Sequence, residues 1–113
     1  MSSSVSALRA FGKKMAVTSN NVANANTDEF KKSRAILKEG VNGKVEVEID
    51  KVATPGPIAT EVKEGGVLER ELSNVEFEEE IVQSIIAQRG YGANLVTVKT
   101  YDEMLGTLID MKS

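Results

Sequence analysis

The feature that most constrains the fold is a long segment without proline near the carboxyl end of the chain, from Ser73 to Met111. Read as one α-helix, this segment would be roughly 55 Å long at a rise of about 1.5 Å per residue. A compact domain of 113 residues is only about 26–30 Å across by the size scaling of globular chains. The segment therefore predicts a rod that extends beyond any compact core.

A stripe of mostly apolar residues follows this predicted helix with the spacing of a coiled-coil seam. Ser73 followed by Glu76 is typical of a capping box, in which the serine accepts a hydrogen bond from the first turn. Gly90 and Gly92 weaken the middle of the helix by roughly 1 kcal/mol each. The stripe has two sets that repeat every seven residues, with two flanking members: Phe77, Ser84, Tyr91, Val98 and Leu105; Ile81, Gln88, Leu95, Asp102 and Ile109; and Ile85 and Leu108.

A shorter helix is predicted from Val5 to Ala25, where apolar or small residues follow the same spacing. Two interpretations of this helix are open: it packs on its own domain, or it assembles with other chains. Gly12 and Ser19 bury little apolar area, so the seam is thin. The seam consists of Val5, Leu8, Gly12, Met15, Ser19 and Val22.

The segment between the helices has the alternating pattern of half-buried strands. Val45, Val47 and Ile49 alternate with charged residues, and Asn42-Gly43 before them is a strong hairpin turn. The stretch "SRAIL" supplies the partner strand, "ATPGPIA" is predicted to be an extended loop because of its prolines, and Gly65-Gly66 marks another turn before a short extended lead-in. We therefore predict a mainly α fold in which long terminal helices pair as an antiparallel coiled coil around a short β-hairpin or extended region. The predicted segments are an N-terminal helix (1–29), a small β-rich middle (30–72) and a C-terminal helix (73–113).

Composition argues against chemistry on this chain. Histidine and cysteine are absent, which removes the common general base, the common nucleophilic pairs and the usual zinc ligands. The cluster of Glu76, Glu78, Glu79 and Glu80 is interpreted as a solvated helix N-terminus far more readily than as a cation site. We therefore predict no catalytic residue, no cofactor and no metal. A net charge of -3 argues against nucleic acid, and no apolar run is long enough for membrane insertion.

Energetics indicate that the helices need partners. Ordering the backbone costs about 1–2 kcal/mol per residue, and one narrow seam of aliphatic side chains cannot offset that cost over two helices. We predict that other copies, or other partners, complete the contact, and that the isolated chain forms a homo-oligomer. Arg89 lies among apolar residues of the long helix, and both a buried, paired position and a solvent-facing one are open.

Two stretches carry a family resemblance. "SNNVANANTDEFKK" resembles the N-terminal signature of flagellar axial proteins, the rod and hook family, and "SNVEFEEEIVQSIIAQRGYGANLVTVKTYDEMLGTLIDMK" resembles the C-terminal signature of the same family. The asparagines then have an explanation, because their side chains satisfy the backbone groups that an ending helix leaves unpaired. The family usually has glycine where this chain has Glu29. Because Glu resists positive φ, either the turn differs or the helix continues.

The resemblance implies a structural subunit of the bacterial flagellar basal-body rod, or a close rod or hook relative, that self-assembles through its terminal helices into a helical tube for motility. It implies copies of itself and other flagellar axial proteins as partners. It also implies export by the flagellar export apparatus, without a cleaved signal peptide, to the periplasm-spanning basal body. The short middle segment resembles proximal-rod proteins, whereas "AQRGYGAN" resembles hook and distal-rod proteins.

Two alternatives stay open: a non-polymerising coiled-coil adaptor or regulatory protein derived from this family, and an enzyme carried on the β segment. Under the preferred interpretation, residues of both helices form the subunit interface. We predict that these are Val5, Leu8, Met15, Val22, Asn20, Asn21, Asn24, Ile81, Ile85, Gln88, Arg89, Tyr91, Leu95, Val98, Leu105 and Leu108.

Overall fold

The computed structural model describes residues 2–112 as two long helices with two antiparallel β-hairpins between them. The molecule is elongated, with Cα extents of 84 × 23 × 15 Å. The predicted fold class is therefore confirmed. In chain order the elements are α1 (Ser2–Ala23), β1 (Ser33–Glu39), a short 3₁₀ turn (Val41–Gly43), β2 (Val45–Lys51), β3 (Ile58–Lys63), β4 (Gly66–Glu71) and α2 (Phe77–Lys112).

The two helices run antiparallel. Asn21 near the end of α1 contacts Glu80 in the first turns of α2, and Phe11 lies against Gly90 further along. Sequence numbers thus fall on one helix as they rise on the other, so the start of α1 lies near residue 99 of α2. Residues 100–112 of α2 extend beyond α1 by about 20 Å at the helical rise.

Small and polar residues line the contact between the helices. Asn21 on α1 bonds to Glu80 on α2, and Thr18 lies close to Glu80. The other buried helix residues are small: Ala7 and Ala10 on α1, and Ala87 on α2. Small side chains let the helix axes approach closely, and at one position a side chain would displace its neighbour: a Cβ on Gly90 would lie 2.4 Å from the ring of Phe11. Gly90 therefore has a packing role that sequence analysis did not indicate, whereas nothing lies within 4 Å of a Cβ built on Gly92.

The first hairpin forms as predicted. Strand β1 pairs with β2 from Ser33↔Lys51 to Glu39↔Val45. At the turn, Asn42 and Gly43 have φ values of 61° and 73°, which these two residue types adopt at low cost. The hairpin lies along α1, where Ala35 is buried and the Val45 amide donates to Ser6 Oγ at 2.9 Å.

The second hairpin was not predicted. Strand β3 pairs with β4 from Ile58↔Glu71 to Lys63↔Gly66, in a region interpreted from sequence as a loop and an extended lead-in. Both prolines precede β3, so neither removes a hydrogen bond from the ladder. The Gly65-Gly66 turn was predicted correctly, and both glycines have positive φ. The apolar side chains of this hairpin are largely exposed: Ile58, Val62, Val67 and Leu68.

Two local predictions at the helix ends were wrong. Helix α2 begins at Phe77, and the Ser73 hydroxyl accepts a hydrogen bond from the Val75 amide at 3.2 Å instead of capping the helix. After α1, the helix ends at Ala23 and Glu29 itself adopts the positive φ, at 63°. The turn is therefore kept with glutamate in a conformation that glycine adopts more readily.

Candidate assembly interface

The asparagines after α1 end the helix. The Asn24 amide donates to the Asn20 carbonyl at 3.1 Å, and its side-chain Nδ2 donates to the same oxygen at 2.9 Å. Thr27 Oγ1 donates to Asn24 Oδ1 at 3.0 Å, which fixes the following turn. The first two bonds pair the Asn20 carbonyl in the last helical turn, which is the role that the resemblance implied for these asparagines.

Asn21 has a different role, because it joins three elements from a fully buried position. Its Nδ2 donates to the Ser33 carbonyl at 2.8 Å, and its Oδ1 accepts from the Ser33 amide at 3.0 Å. The same Nδ2 lies 3.3 Å from both carboxylate oxygens of Glu80. Asn21 thereby ties α1 to the start of β1 and to the base of α2.

The carboxylates at the base of α2 bind cations of the chain itself. Arg34 Nη2 lies 2.8 Å from Glu80 Oε1 and 2.6 Å from Glu79 Oε1. These are ion-pair distances without hydrogen-bond alignment at that atom, whereas Arg34 Nε makes an aligned bond to Glu79 Oε1 at 3.0 Å. The interpretation of this cluster as a solvated helix end is wrong for Glu80, which is fully buried.

Lys32 and Arg34 set the electrostatics of Glu79. Lys32 Nζ donates to Glu79 Oε2 at 2.9 Å, and this bond, with the guanidinium of Arg34 beside it, lowers the pKa of the Glu79 carboxyl. On α1, partial burial lowers the pKa of Lys14, and the nearby Arg34 charge acts in the same direction. The link between β1 and α2 is therefore a set of charged groups of opposite sign.

Asn74, just before α2, bonds to the backbone on both sides of the first hairpin. Its Oδ1 accepts from the Lys32 amide at 2.6 Å, and its Nδ2 donates to the carbonyls of Val52 and Thr54 at 2.9 and 2.8 Å. Its own amide donates to the Phe30 carbonyl at 3.2 Å. Asn74 is 8% exposed, so these three side-chain bonds are partly shielded from water, which strengthens each of them relative to a bond at the surface.

We name the cluster of Asn21, Lys32, Arg34, Asn74, Glu79 and Glu80 the polar junction. Sequence analysis placed Asn21 at an interface between subunits, but the side chain is buried within its own chain. Arg34 and the pairing of Glu80 were not predicted from the sequence. The sequence signal for the polar junction was that all of its residues except Arg34 lie within the two stretches that resemble the family signatures. Their pairing was not visible, because the partners are far apart along the chain.

The apolar residues predicted to meet other subunits face outward along both helices. Ile81, Leu95 and Leu108 are 53%, 50% and 59% exposed. Asn20, Gln88 and Arg89 are also exposed, whereas Asn24, Leu8, Met15 and Val98 are partly buried. The other exposed members of the predicted set are Val5, Val22, Ile85, Tyr91 and Leu105.

The exposed apolar surface is larger than predicted. It also includes Val82, Ile86, Val96 and Met104 on α2. These four residues lie outside the predicted stripe, each one position away from one of its members. Within residues 2–112, neither helix has a window apolar and uncharged enough to span a lipid bilayer.

Comparisons with known proteins agree at both ends of the chain. Residues 1–31 match the family model "Flagella basal body rod protein", and residues 65–111 match "Flagellar basal body rod FlgEFG protein C-terminal". Together the two matches cover more than two thirds of the chain.

Individual relatives align over shorter stretches. The flagellar hook protein FlgE of Escherichia coli (strain K12) is 45% identical over 42 residues, which are 37% of this chain and 10% of that protein. The flagellar basal-body rod protein FlgG of Bacillus subtilis (strain 168) is 38% identical over 58 residues, 51% of this chain and 21% of that protein. The aligned region thus spans between a tenth and about a fifth of these relatives.

The two matched regions contain the two long helices of the structure: residues 1–31 include α1, and residues 65–111 include nearly all of α2. The matched models describe structural proteins and not enzymes. On this basis the chain belongs to the flagellar basal-body rod and hook protein family.

Proposed function

We propose that this chain is a structural subunit of the bacterial flagellar basal-body rod, or of a close rod or hook segment, and that it self-assembles through its terminal helices into a helical tube. The single observation that carries the proposal is the contrast between the inside and the outside of the molecule. Among the described residues, the buried hydrophobic side chains are Ala7, Ala10, Ala35 and Ala87, while the large aliphatic residues of α2 face outward.

This contrast favours association. Burying an aliphatic side chain contributes about 1.5–3 kcal/mol, and contiguous exposed apolar surface marks interaction sites. The exposed residues lie along nearly the whole length of α2, from Phe77 at 52% to Ile109 at 69%. Neighbouring copies that cover this length supply the burial that the single chain lacks.

The assembly is expected to be open-ended. A contact between two different surfaces of identical subunits, when its rotation does not close, generates a helical array. The two ends of this molecule differ, since a bare helix stands at one end and the β-hairpins connect the helices at the other. Family membership supports copies of this chain and other flagellar axial proteins as partners, with a location in the basal body after export by the flagellar apparatus.

The experiment compares assembly of the purified chain with that of charged variants. Sedimentation velocity and negative-stain electron microscopy over a range of concentrations should detect filaments or open-ended oligomers. We expect Ile85→Glu and Leu95→Glu to abolish them, because each places a charge on the exposed apolar face of α2.

Val41→Glu is the matched control. Val41 is 76% exposed and lies at the tip of the first hairpin, so this variant should assemble normally. A discrete closed oligomer would instead support a non-polymerising adaptor, and a monomer at every concentration would contradict the proposal.

A further inference from the structure

The helices differ in length, and the difference leaves one end of α2 without a partner helix. Helix α1 has 22 residues and α2 has 36. With Asn21 at the level of Glu80 and Phe11 at the level of Gly90, α1 reaches only to about residue 99. We name residues 100–112 the overhang; residues 101–110 within it are all exposed.

The overhang continues the face by which α2 contacts α1. Ala87 is buried in that contact, and Asn94 and Val98 are partly buried. Continued at steps of three and four, this face passes through Tyr101, Leu105 and Leu108, which are 44%, 42% and 59% exposed. The face of α2 that contacts α1 therefore stays apolar beyond the point where α1 ends.

The opposite end of the helix pair has an apolar groove. It lies between the last turns of α1 and the first turns of α2, and its volume is about 390 Å³. Glu80 is one of its lining residues, and the carboxylate is paired with Arg34, so the groove presents no unpaired charge from that residue. Its other lining residues include Val22, Ser19, Phe77, Ile81 and Ser84.

We propose that the overhang of one copy docks in this groove of the next copy, so that molecules join head to tail. The inference rests on the proposed function, because it names the contact that extends the assembly along its axis. The groove cannot take the overhang of its own chain, since about 24 residues of continuous helix, roughly 36 Å, separate them.

The dimensions and chemistry of the two surfaces agree. The span from Tyr101 to Leu108 and the span from Phe77 to Ser84 each cover two helical turns, about 11 Å. The acidic residue Glu103 lies on the other side of the overhang by helical spacing, so it stays in water when the apolar side is covered. The contact joins two different surfaces and therefore does not close on itself.

The absence of cysteine from the chain allows a direct test by cross-linking. A chain carrying only Leu108→Cys is mixed with a chain carrying only Ser19→Cys, and the mixture is mildly oxidised. We expect disulfide-linked dimers in the mixture, little linked product from either chain alone, and a ladder of longer products from the double variant. A mixture of Leu108→Cys with Val41→Cys should give no linked dimer.

Assembly measurements separate this contact from the proposed function. Leu108→Glu should raise the concentration for half-assembly at least about tenfold, whereas Thr107→Glu, on the polar side of the overhang, should leave it nearly unchanged. Dimers from Leu108→Cys alone would indicate that two overhangs pair with each other and would overturn the inference. Assembly without cross-linking in the mixture would overturn this contact and leave the rod subunit intact, and failure of the unmodified chain to assemble would overturn both.

Discussion

At the scale of single residues, Glu29 is the clearest local conflict between sequence and structure. Its φ of 63° costs a residue with a side chain roughly 1–2 kcal/mol relative to glycine. The surrounding bonds hold it in place, since the Glu29 amide donates to the Glu71 carbonyl at 2.9 Å and so ties the turn to the end of β4. The hydrogen bond between the turn after α1 and the second hairpin therefore offsets part of the backbone strain at Glu29.

We predict that Glu29→Gly stabilises the chain by about 1 kcal/mol, because relief of the backbone strain exceeds the added entropy of the unfolded state. Urea unfolding followed by circular dichroism, at one fixed protein concentration, would measure the change. The matched control is Asp28→Gly: positive φ among the described non-glycine residues occurs at Glu29 and Asn42, so this change should destabilise by roughly 0.5–1 kcal/mol. Equal effects of the two substitutions would contradict the argument.

Predictability at this scale depends on sequence separation. Asn42-Gly43 was predicted correctly because two adjacent residues determine the turn. The pairing of Asn21 with Glu80 spans 59 positions, and no periodic pattern connects the two. Gly90 was interpreted as a weakness of its own helix, since its closeness to Phe11 exists only after the helices pair.

At the scale of elements, the polar junction attaches the first hairpin to α2 through charge. The pKa of Glu79 is lowered in the folded chain, first by Lys32 and then by Arg34. A carboxyl whose pKa is lower when folded than when unfolded stabilises the fold at pH values above its unfolded pKa. That stability is lost as the pH falls from about 4.5, the ordinary value, through the lower folded value.

We therefore predict that Glu79→Gln destabilises the chain at pH 7 by roughly 0.5–1 kcal/mol, a modest value because the partly exposed side chain is screened by solvent. The difference from the unmodified chain should shrink as the pH is lowered below about 4.5. Denaturant unfolding at several pH values would measure both. Glu78→Gln, at an exposed neighbouring position, should show little change at any pH, and a pH-independent deficit in Glu79→Gln would refute the electrostatic explanation.

Elements whose bounds depend on local sequence could be predicted, and elements whose bounds depend on distant contacts could not. The long helices and the first hairpin were predicted because hydrophobic spacing and one turn determine them. The start of α2 was placed too early, because the Asn74 side chain and amide are bound to the residues around Phe30 and Lys32. The second hairpin was missed because Pro55 and Pro57 were taken to exclude a strand that in fact begins just after them.

At the scale of the whole molecule, the described structure has much length and little core. A chain that is 84 Å long and 15 Å thin along its shortest axis cannot surround its own side chains. The sequence indicated this shortage from the length of the Pro-free segment. It did not indicate that small residues such as Ala87 and Gly90 would lie in the contact between α1 and α2 while Ile81 and Leu95 face outward, because spacing alone does not distinguish the face that meets the partner helix from the face beside it.

We predict that the helical content of the chain in solution rises with protein concentration. The ellipticity at 222 nm, measured from the lowest detectable concentration upward, should increase together with the sedimentation coefficient. Leu95→Glu should keep the low-concentration value throughout, while Val41→Glu should follow the unmodified chain. Full helicity in a dilute monomer would show that the single chain is sufficient for its own helices.

The unequal lengths of α1 and α2 give the molecule a direction. Copies stacked in parallel would form a fibre with chemically distinct tips, one ending in bare helices and the other in vacant clefts. Elongation at the two tips would then proceed at different rates. A terminating neighbour would need to match only one tip, so the position at which growth stops would be set by recognition of that tip and not by the length already built.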